Sequence, residues 1–321
     1  MQALAGILVV DLTRYLPGAY ASRELLRLGA RVVRVESPEG DPMRETAPAW
    51  DSALRGGTES VICDLKNDPG LAQALVARAD VVLESFRPGI AARLGIGPED
   101  VPASTILCSI TGFGASGLHT ARAGHDLNYL GWGGVLEDTA PEWPPVQVAD
   151  LAAGALGAVV EILAALLERE RTGKGAKFTV SMTHRSHDLV AHRLGGEPVP
   201  HMLTGGLACY RTYATADGRY LTVGALEPKF FARLCELVGR PELAEAQYAA
   251  DQDGLAGELS GIFEERPLED WLVHFGDEDV CVGPVSTREE AASEFGARST
   301  GHAPALGEHT QCWRGELGFA K

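Results

Sequence analysis

The first half of the chain alternates short apolar runs rich in β-branched residues with amphipathic stretches. Short continuous apolar runs predict buried strands, and the amphipathic stretches between them predict helices that cover a sheet. The strands are predicted at 7–12, 32–36, 61–65, 81–84 and 105–110, and helices at 19–28 and 70–78. This alternation is typical of an α/β domain with a doubly wound parallel sheet.

The pattern changes beyond about residue 180. Two runs with alternating apolar and polar residues flank Asp217-Gly218, a dipeptide that favours a tight hairpin turn. Helical spacing follows at 229–238 and 268–275, so the sequence predicts a second, smaller α+β domain. The predicted division is a large domain at 1–185 to which 300–321 returns, a linker at 186–205 rich in glycine and proline, and a small domain at 206–299.

The longest apolar stretch, 151–167, predicts a buried helix rather than a membrane span. It carries Glu161 and two glycines, and it is shorter than the roughly 20 apolar residues that cross a bilayer. Asp150 stands where an N-cap residue is expected, and Gly173 follows a charged last turn. We therefore expect no membrane partner.

Composition and charge disfavour several further classes of protein. The 321 residues are 45% hydrophobic, enough for a sizeable core, and 28 Lys and Arg against 44 Asp and Glu give a net charge of −16. Such a charge disfavours nucleic acid and anionic membranes as partners. Six cysteines without C-x-x-C spacing indicate reduced thiols, so we expect a cytoplasmic protein.

Two motifs that suggest a cofactor have simpler interpretations. The segment 112–117 matches G-x-G-x-x-G after a predicted strand, but a polar stretch follows it where a dinucleotide site needs an apolar helix. A glycine turn is the favoured interpretation. His184, His187 and His192 share one predicted helix, but their spacing turns the third away from the first two. We expect no nicotinamide cofactor and no metal.

Three titratable residues, His125, Asp150 and Glu227, lie in glycine-rich or apolar settings. Burial and neighbouring charges can shift the pKa of such groups toward neutrality, which acid/base chemistry at carbon requires. Taken alone, each has a structural explanation, as a turn histidine, a helix cap and a residue before a helix-starting proline. An aspartate that caps a helix would have its pKa lowered, whereas a proton donor needs it raised. The sequence leaves this conflict open.

Longer segments carry a resemblance to a known family. They lie at 4–12, 28–36, 79–84, 93–97, 123–129, 171–175, 223–230, 280–285 and 306–310. Through them the chain resembles the family III CoA-transferases, the CaiB/BaiF group, over nearly its whole length. Within this family it is most similar to the α-methylacyl-CoA racemases, because 123–129 and 216–230 look like the racemase versions of their segments.

The resemblance implies a racemase that moves the α-proton of 2-methylacyl-CoA thioesters through an enolate. His125 and Asp150 would be the two acid/base groups on opposite faces of the α-carbon, and Glu227 would support His125. The enolate oxygen would be held by backbone amides near His125-Asp126 or at the start of the helix after Asp150. In the transferase branch, the residue that matches Asp150 is instead a nucleophile that forms an anhydride with the acyl group. Both alternatives stay open, with a catalytically impaired CoA-binding paralogue as a third.

The resemblance also implies where coenzyme A, as part of the substrate, would bind. The predicted contacts come from segments that match the CoA-contact regions of the family. They are Arg34, Cys63, Asp64, Leu65, Lys66, Ser85, Phe86, Arg87, Arg93, Gly124, Asp126, Leu127, Asn128 and Tyr129.

Two departures from the family pattern bear on CoA binding. Ser37 stands where racemases often have arginine, which makes Arg34 the candidate replacement. The segment 54–60 has one arginine where the family usually carries a basic Arg-Gly-Lys-Arg-Ser string. The family further implies an interlocked homodimer, in which Glu227 would approach His125 across the subunit interface.

Overall fold

The computed structural model describes residues 2–199, 201–296 and 301–319. The chain divides into two compact units, Met1–His192 together with Arg298–Lys321, and Arg193–Ala297. Residues 193–205, which the sequence assigned to a linker, therefore belong to the second unit.

The first unit is built on a six-stranded sheet in the order β3-β2-β1-β4-β5-β6. All neighbouring strands are parallel, as predicted. The central strands are almost completely buried, because helices cover both faces of a doubly wound sheet. The strands are β1 (Leu8–Asp11), β2 (Arg31–Glu36), β3 (Glu59–Ile62), β4 (Val81–Glu84), β5 (Ile106–Thr111) and β6 (Lys177–Ser181).

The strand order reverses between β1 and β4, which lie side by side although two strands separate them in the chain. In such sheets, ligands bind at the carboxyl ends of the strands where the order reverses. The loop after β1 begins at Leu12 and the loop after β4 begins at Ser85. Any site on this unit is therefore expected beside these two loops.

The helices of the first unit connect and cover these strands. They are α1 (Tyr15–Arg27), α2 (Met43–Thr46), α3 (Pro48–Arg55), α4 (Gly70–Arg78), α5 (Ile90–Arg93), α6 (Asp126–Trp132), α7 (Ala149–Thr172), α8 (Met182–Val190) and the C-terminal Thr310–Glu316. A 3₁₀ segment at Ala191–Gly195 contains the last residues of the first unit before the second and the first residues of the second. α1 begins four residues before its prediction at 19–28, because Pro17 fits the first turn of a helix and did not need to precede it.

The α7 helix is longer than the sequence suggested. At 24 residues it is long and apolar enough to cross a membrane. Half of its most apolar 18-residue stretch is buried within the protein. Ala155, Ile162 and Leu166 of α7 join the main core with residues of α1 and the sheet. Its first eight residues, Ala149–Leu156, form a π-helix, a wider turn that often occurs at functional sites. The contacts of Ala155, Ile162 and Leu166 place α7 in the core of the first unit.

The second unit is a three-stranded antiparallel sheet packed with helices. The predicted hairpin joins β7 (Tyr210–Ala214) to β8 (Tyr220–Gly224), and β9 (Val282–Pro284) pairs with β8. Phe231, Phe263 and Trp271 form the centre of its core. The helices are Pro228–Leu237, Gln252–Phe263, Leu268–Phe275 and Arg288–Phe295, with a 3₁₀ segment at Pro241–Ala246. The predicted combination of a parallel-sheet domain and a smaller α+β domain is confirmed.

Candidate active site

Two cavities lie at the carboxyl edge of the parallel sheet, beside the loops after β1 and β4. The first cavity measures about 740 Å³ and is lined by His125 and Asp150. The second cavity measures about 610 Å³ and is lined by Ser37 and Lys66. The two share the residues that follow β1 and β4, namely Arg14, Tyr15, Ser85, Phe86 and Arg87. An elongated ligand can therefore occupy both.

His125 is the residue immediately before α6 and is exposed. Its N–H donates a hydrogen bond of 3.0 Å to Asn128 Oδ1, one turn further along. This bond closes the first turn of α6 and fixes the backbone that carries the imidazole. His125 therefore lines the first cavity from a defined turn.

Asp150 does not cap α7, in contrast to the prediction. The helix begins at Ala149, and Val148 before it already has helical backbone angles, so Asp150 lies in the first turn. The cap comes from Asp126, the first residue of α6. Its Oδ1 accepts the N–H of Asp150 at 2.9 Å. The carboxylate of Asp150 is thus not used in capping and lines the first cavity.

Because Asp126 rather than Asp150 caps α7, capping hydrogen bonds do not lower the pKa of Asp150. Burial raises the pKa of Asp150 to about 7, and the nearby charge of Asp126 adds to the effect. Burial also raises the pKa of Asp126, while the N–H bonds from Ala149 and Asp150 oppose that rise. Near neutral pH the Asp150 carboxyl is therefore present in both protonated and ionised forms.

Tyr129 closes the site behind these carboxyl groups. Its hydroxyl donates to Gly124 O, and burial together with the charges of Asp150 and Asp126 raises the pKa of Tyr129 to about 12. The ring packs against glycines: a Cβ at Gly112 would lie 2.5 Å from it, and a Cβ at Gly124 would lie 2.7 Å from it. Gly112 of the G-x-G-x-x-G segment is therefore required for packing against Tyr129.

The predicted CoA contacts divide between the cavities. The second cavity is lined by Arg34, Cys63, Asp64, Leu65, Lys66, Ser85, Phe86 and Arg87. The first cavity is lined by Ser85, Phe86, Arg87, Gly124, Asn128 and Tyr129. Arg93, Asp126 and Leu127 line neither of them. Glu227 belongs to the second unit, where it precedes the helix Pro228–Leu237.

Arg34 is a member of a buried ion-pair cluster. Its side chain is 2% exposed, and its Nη2 lies 3.0 Å from Asp41 Oδ2. Glu36 and Asp11 lie at 3.6 and 3.8 Å from Nε. Arg55, the one arginine of the segment 54–60, pairs with Asp51, Glu36 and Asp41. The charge of Arg34 is therefore largely used within the protein, although its Nη1 has no hydrogen-bond partner among the described residues.

The sequence missed Arg14 and Tyr15, which line both cavities. The cations available to a ligand in the second cavity are Arg14, Lys66 and Arg87, since no ion pair joins them to another residue in the described part of the chain. One signal in the sequence could have identified Arg14. It follows the first strand by three residues, and the loop after the first strand of a doubly wound sheet is a common ligand site.

The histidines in the described part of the chain do not form a metal-binding cluster. Among the described residues, no three His, Cys, Asp or Glu side chains gather as ligands. Nδ1 of His184 lies 2.7 Å from Ser181 Oγ, and Nδ1 of His187 lies 3.2 Å from Gly133 O. Both rings thus have partners within their own unit.

The fold and these cavities define a doubly wound α/β protein in which His125 and Asp150 line one cavity and Arg14, Lys66 and Arg87 line an adjoining one. The model of the CoA-transferase family III matches residues 4–310. Human alpha-methylacyl-CoA racemase is 36% identical over 309 residues, which cover 90% of this chain and 79% of the human protein. Mouse succinyl-CoA:glutarate CoA-transferase is 31% identical over 326 residues, covering 92% and 74% of the two chains.

A solved structure agrees with these sequence matches. The crystal structure of a CAIB/BAIF family protein from Brucella suis is similar with a TM-score of 0.83 at 29% identity, covering 98% of this chain and 99% of the other. The chain belongs to the family III CoA-transferases. This confirms the family that the sequence motifs indicated.

Proposed function

We propose that this protein racemises 2-methylacyl-CoA thioesters by moving the α-proton through an enolate. The observation that carries the proposal is that His125 and Asp150 line one cavity and that the pKa of Asp150 is raised to about 7. The similarity to human alpha-methylacyl-CoA racemase over 90% of the chain supports it.

The chemistry requires two groups and a stabilised oxygen. The thioester carbonyl makes the α-proton weakly acidic, and one group removes this proton while the other returns a proton to the opposite face. Asp150 near its pKa can perform either step, and so can an imidazole. The two roles exchange with the configuration of the substrate.

The enolate oxygen needs hydrogen-bond donors beside His125. The N–H of His125 is bonded to Asn128 and that of Asp150 to Asp126, so neither is left for the substrate. The N–H groups of Asp126 and Leu127, in the first turn of α6, have no acceptor within their own helix. Neither residue lines the first cavity, so we do not assign them as the donors to the enolate oxygen.

Coenzyme A is proposed to extend from the first cavity into the second. Its phosphates are anionic, and Arg14, Lys66 and Arg87 supply positive charge there in a chain of net charge −16. We further propose that the protein acts as a homodimer in which Glu227 supports His125.

The test is racemisation in deuterated water. (R)- or (S)-2-methylacyl-CoA incubated with the protein is expected to gain α-deuterium and to lose optical purity. His125→Gln and Asp150→Asn are each expected to slow loss of optical purity by on the order of a hundredfold or more, because each removes one proton-transfer group. Full racemisation by both variants would contradict the proposal.

A CoA-transferase is the second candidate, and the similarity to mouse succinyl-CoA:glutarate CoA-transferase favours it. In that reaction the Asp150 carboxylate would attack the thioester carbonyl, release CoA thiolate and form a mixed anhydride. Exchange of the acyl group to free carboxylic acids, with hydroxylamine trapping at Asp150, would support it. A protein that retains CoA binding but performs neither reaction would be the impaired paralogue.

A further inference from the structure

Tyr15 has an unusual backbone conformation for its residue type. Its φ is +65°, and among the described non-glycine residues only His201 and Cys281 also have positive φ. The left-handed region is unfavourable for a residue with a Cβ, and more so for a bulky one. Such conformations persist where the surrounding structure enforces them, and they cluster at functional sites.

Asp41 enforces this conformation. The N–H of Tyr15 donates to Asp41 Oδ2 at 3.0 Å. The same oxygen lies 3.0 Å from both Arg34 Nη2 and Arg55 Nη2, and Asp41 is 3% exposed. Burial alone would raise the pKa of Asp41, but Arg34 and the N–H donors of Met43 and Tyr15 hold it below its usual value. An ionised carboxylate inside the buried cluster thus holds the loop.

A close contact fixes the other side of the same loop. A Cβ at Gly18 would lie 1.7 Å from Thr13 Oγ1, so the loop closes tightly around Tyr15. The N–H of Arg14 donates to Ser85 Oγ at 3.3 Å, which ties the loop after β1 to the loop after β4. Tyr15 is therefore held between two anchored neighbours.

Core packing does not explain why a tyrosine stands at this position. Its side chain is half exposed, and it lines both cavities. A glycine would adopt the same φ without strain. A large aromatic residue in a strained backbone, at the junction of two cavities, points to contact with a ligand that passes from one to the other.

We propose that Tyr15 contacts the neutral pantetheine arm of the bound thioester and thereby sets how far the acyl group reaches toward His125 and Asp150, with Asp41 as the positioning residue that holds it. The inference rests on the proposed binding of acyl-CoA across both cavities. The flat ring packs against the methylene groups of the arm, and the hydroxyl is available to its amides.

The variant Tyr15→Gly separates this role from a structural one. It removes the ring and relieves the strained backbone, so the melting temperature is expected to stay the same or rise. His201→Gly, at a positive φ of 55° in the second unit, is the control for the effect of relieving φ on melting temperature. Tyr15→Phe retains the ring and is expected to retain most of the activity.

The kinetic result distinguishes positioning from binding. For Tyr15→Gly, kcat for deuterium incorporation is expected to fall about tenfold or more, since misplacement by an ångström costs on the order of a hundredfold. The Kd for 3′-phospho-ADP, the nucleotide end of CoA without the pantetheine arm, is measured by calorimetry and is expected to change far less, because the second cavity holds the nucleotide end. Wild-type kcat and KM in Tyr15→Gly would overturn the proposal. So would a lower melting temperature with a matching loss of 3′-phospho-ADP binding.

A binding assay keeps this test separate from the proposed reaction. If the wild-type protein neither racemises nor transfers, the measured quantity is the ratio of the Kd of 3′-phospho-ADP, which lacks the pantetheine arm, to the Kd of a 2-methylacyl-CoA thioether analogue. Tyr15→Gly is expected to lower this ratio and Tyr15→Phe to preserve it. An unchanged ratio in both variants would overturn the role of Tyr15 even where the reaction is established.

Discussion

At the scale of single residues, the site depends on which carboxyl group does which task. Asp126 caps α7, and Asp150, released from capping, is buried beside it with a pKa raised to about 7. The sequence placed both aspartates near His125 but assigned the cap to the wrong one. Motif spacing could not decide this, because the capping carboxylate comes from another helix 24 residues earlier in the chain.

The raised pKa of Asp150 makes a prediction about stability. Between its ordinary pKa of 3.8 and about 7, the unfolded chain loses this proton while the folded protein keeps it. The wild-type protein therefore loses stability from this group as pH rises through that range. Asp150→Asn has no such proton, so the variant avoids this loss. The difference in the free energy of unfolding, variant minus wild type, is therefore expected to be about 1–3 kcal/mol larger at pH 8 than at pH 4.

Urea denaturation of both proteins at the two pH values measures this difference. Asp277→Asn, at an exposed position in the second unit, controls for the removal of one negative charge. An equal effect of Asp150→Asn at both pH values would show that the Asp150 carboxyl is not protonated in the folded protein at neutral pH.

At the scale of elements, the hydrophobic pattern predicted the bounds of several helices and strands correctly. β4, α4 and the helix Leu268–Phe275 have the predicted bounds, because continuous apolar runs and helical spacing are local properties. The short helices α2, α5 and α6 were missed, since segments of four to seven residues are too short to show a period. The buried cluster around Arg34 and Arg55 was also missed, because only the folded chain brings these charges together.

The junction of α6 and α7 gives a second prediction. Asp126→Ala removes the acceptor for the N–H of Asp150 and is expected to lower the free energy of unfolding by about 1–2 kcal/mol. Asp126→Asn retains an oxygen acceptor without the charge, so it is expected to preserve most of the stability. Removal of that charge should also lower the pKa of Asp150.

The measurement combines thermal unfolding with the pH dependence of kcat. For Asp126→Asn, the limb of the kcat–pH profile that reflects ionisation of Asp150 is expected to move to lower pH. A limb that moves to higher pH, or an Asp126→Ala variant as stable as the wild type, would contradict this account of the junction.

At the scale of the whole molecule, three cations without an ion pair among the described residues line one cavity of an acidic protein. Arg14, Lys66 and Arg87 line the second cavity of a chain with net charge −16. Lys66→Gln is expected to weaken CoA binding by about tenfold, because a charge-assisted hydrogen bond contributes about 1.5 kcal/mol or more. The loss should shrink as salt concentration increases.

Calorimetric titration with CoA at low and high salt measures the effect. Lys174→Gln, at an exposed position outside both cavities, is the matched control and is expected to bind CoA as the wild type does. Equal affinities of Lys66→Gln and wild type would exclude Lys66 as a phosphate contact.

The dual position of Asp126 limits how this protein can evolve. One side chain both fastens the beginning of a long internal helix and tunes the acid strength of its neighbour. A mutation at this residue that leaves no oxygen acceptor would change the acid strength of Asp150 and also loosen the scaffold. Descendants that shift their working range are therefore expected to keep an oxygen acceptor at this position or to alter the apolar wall around Asp150.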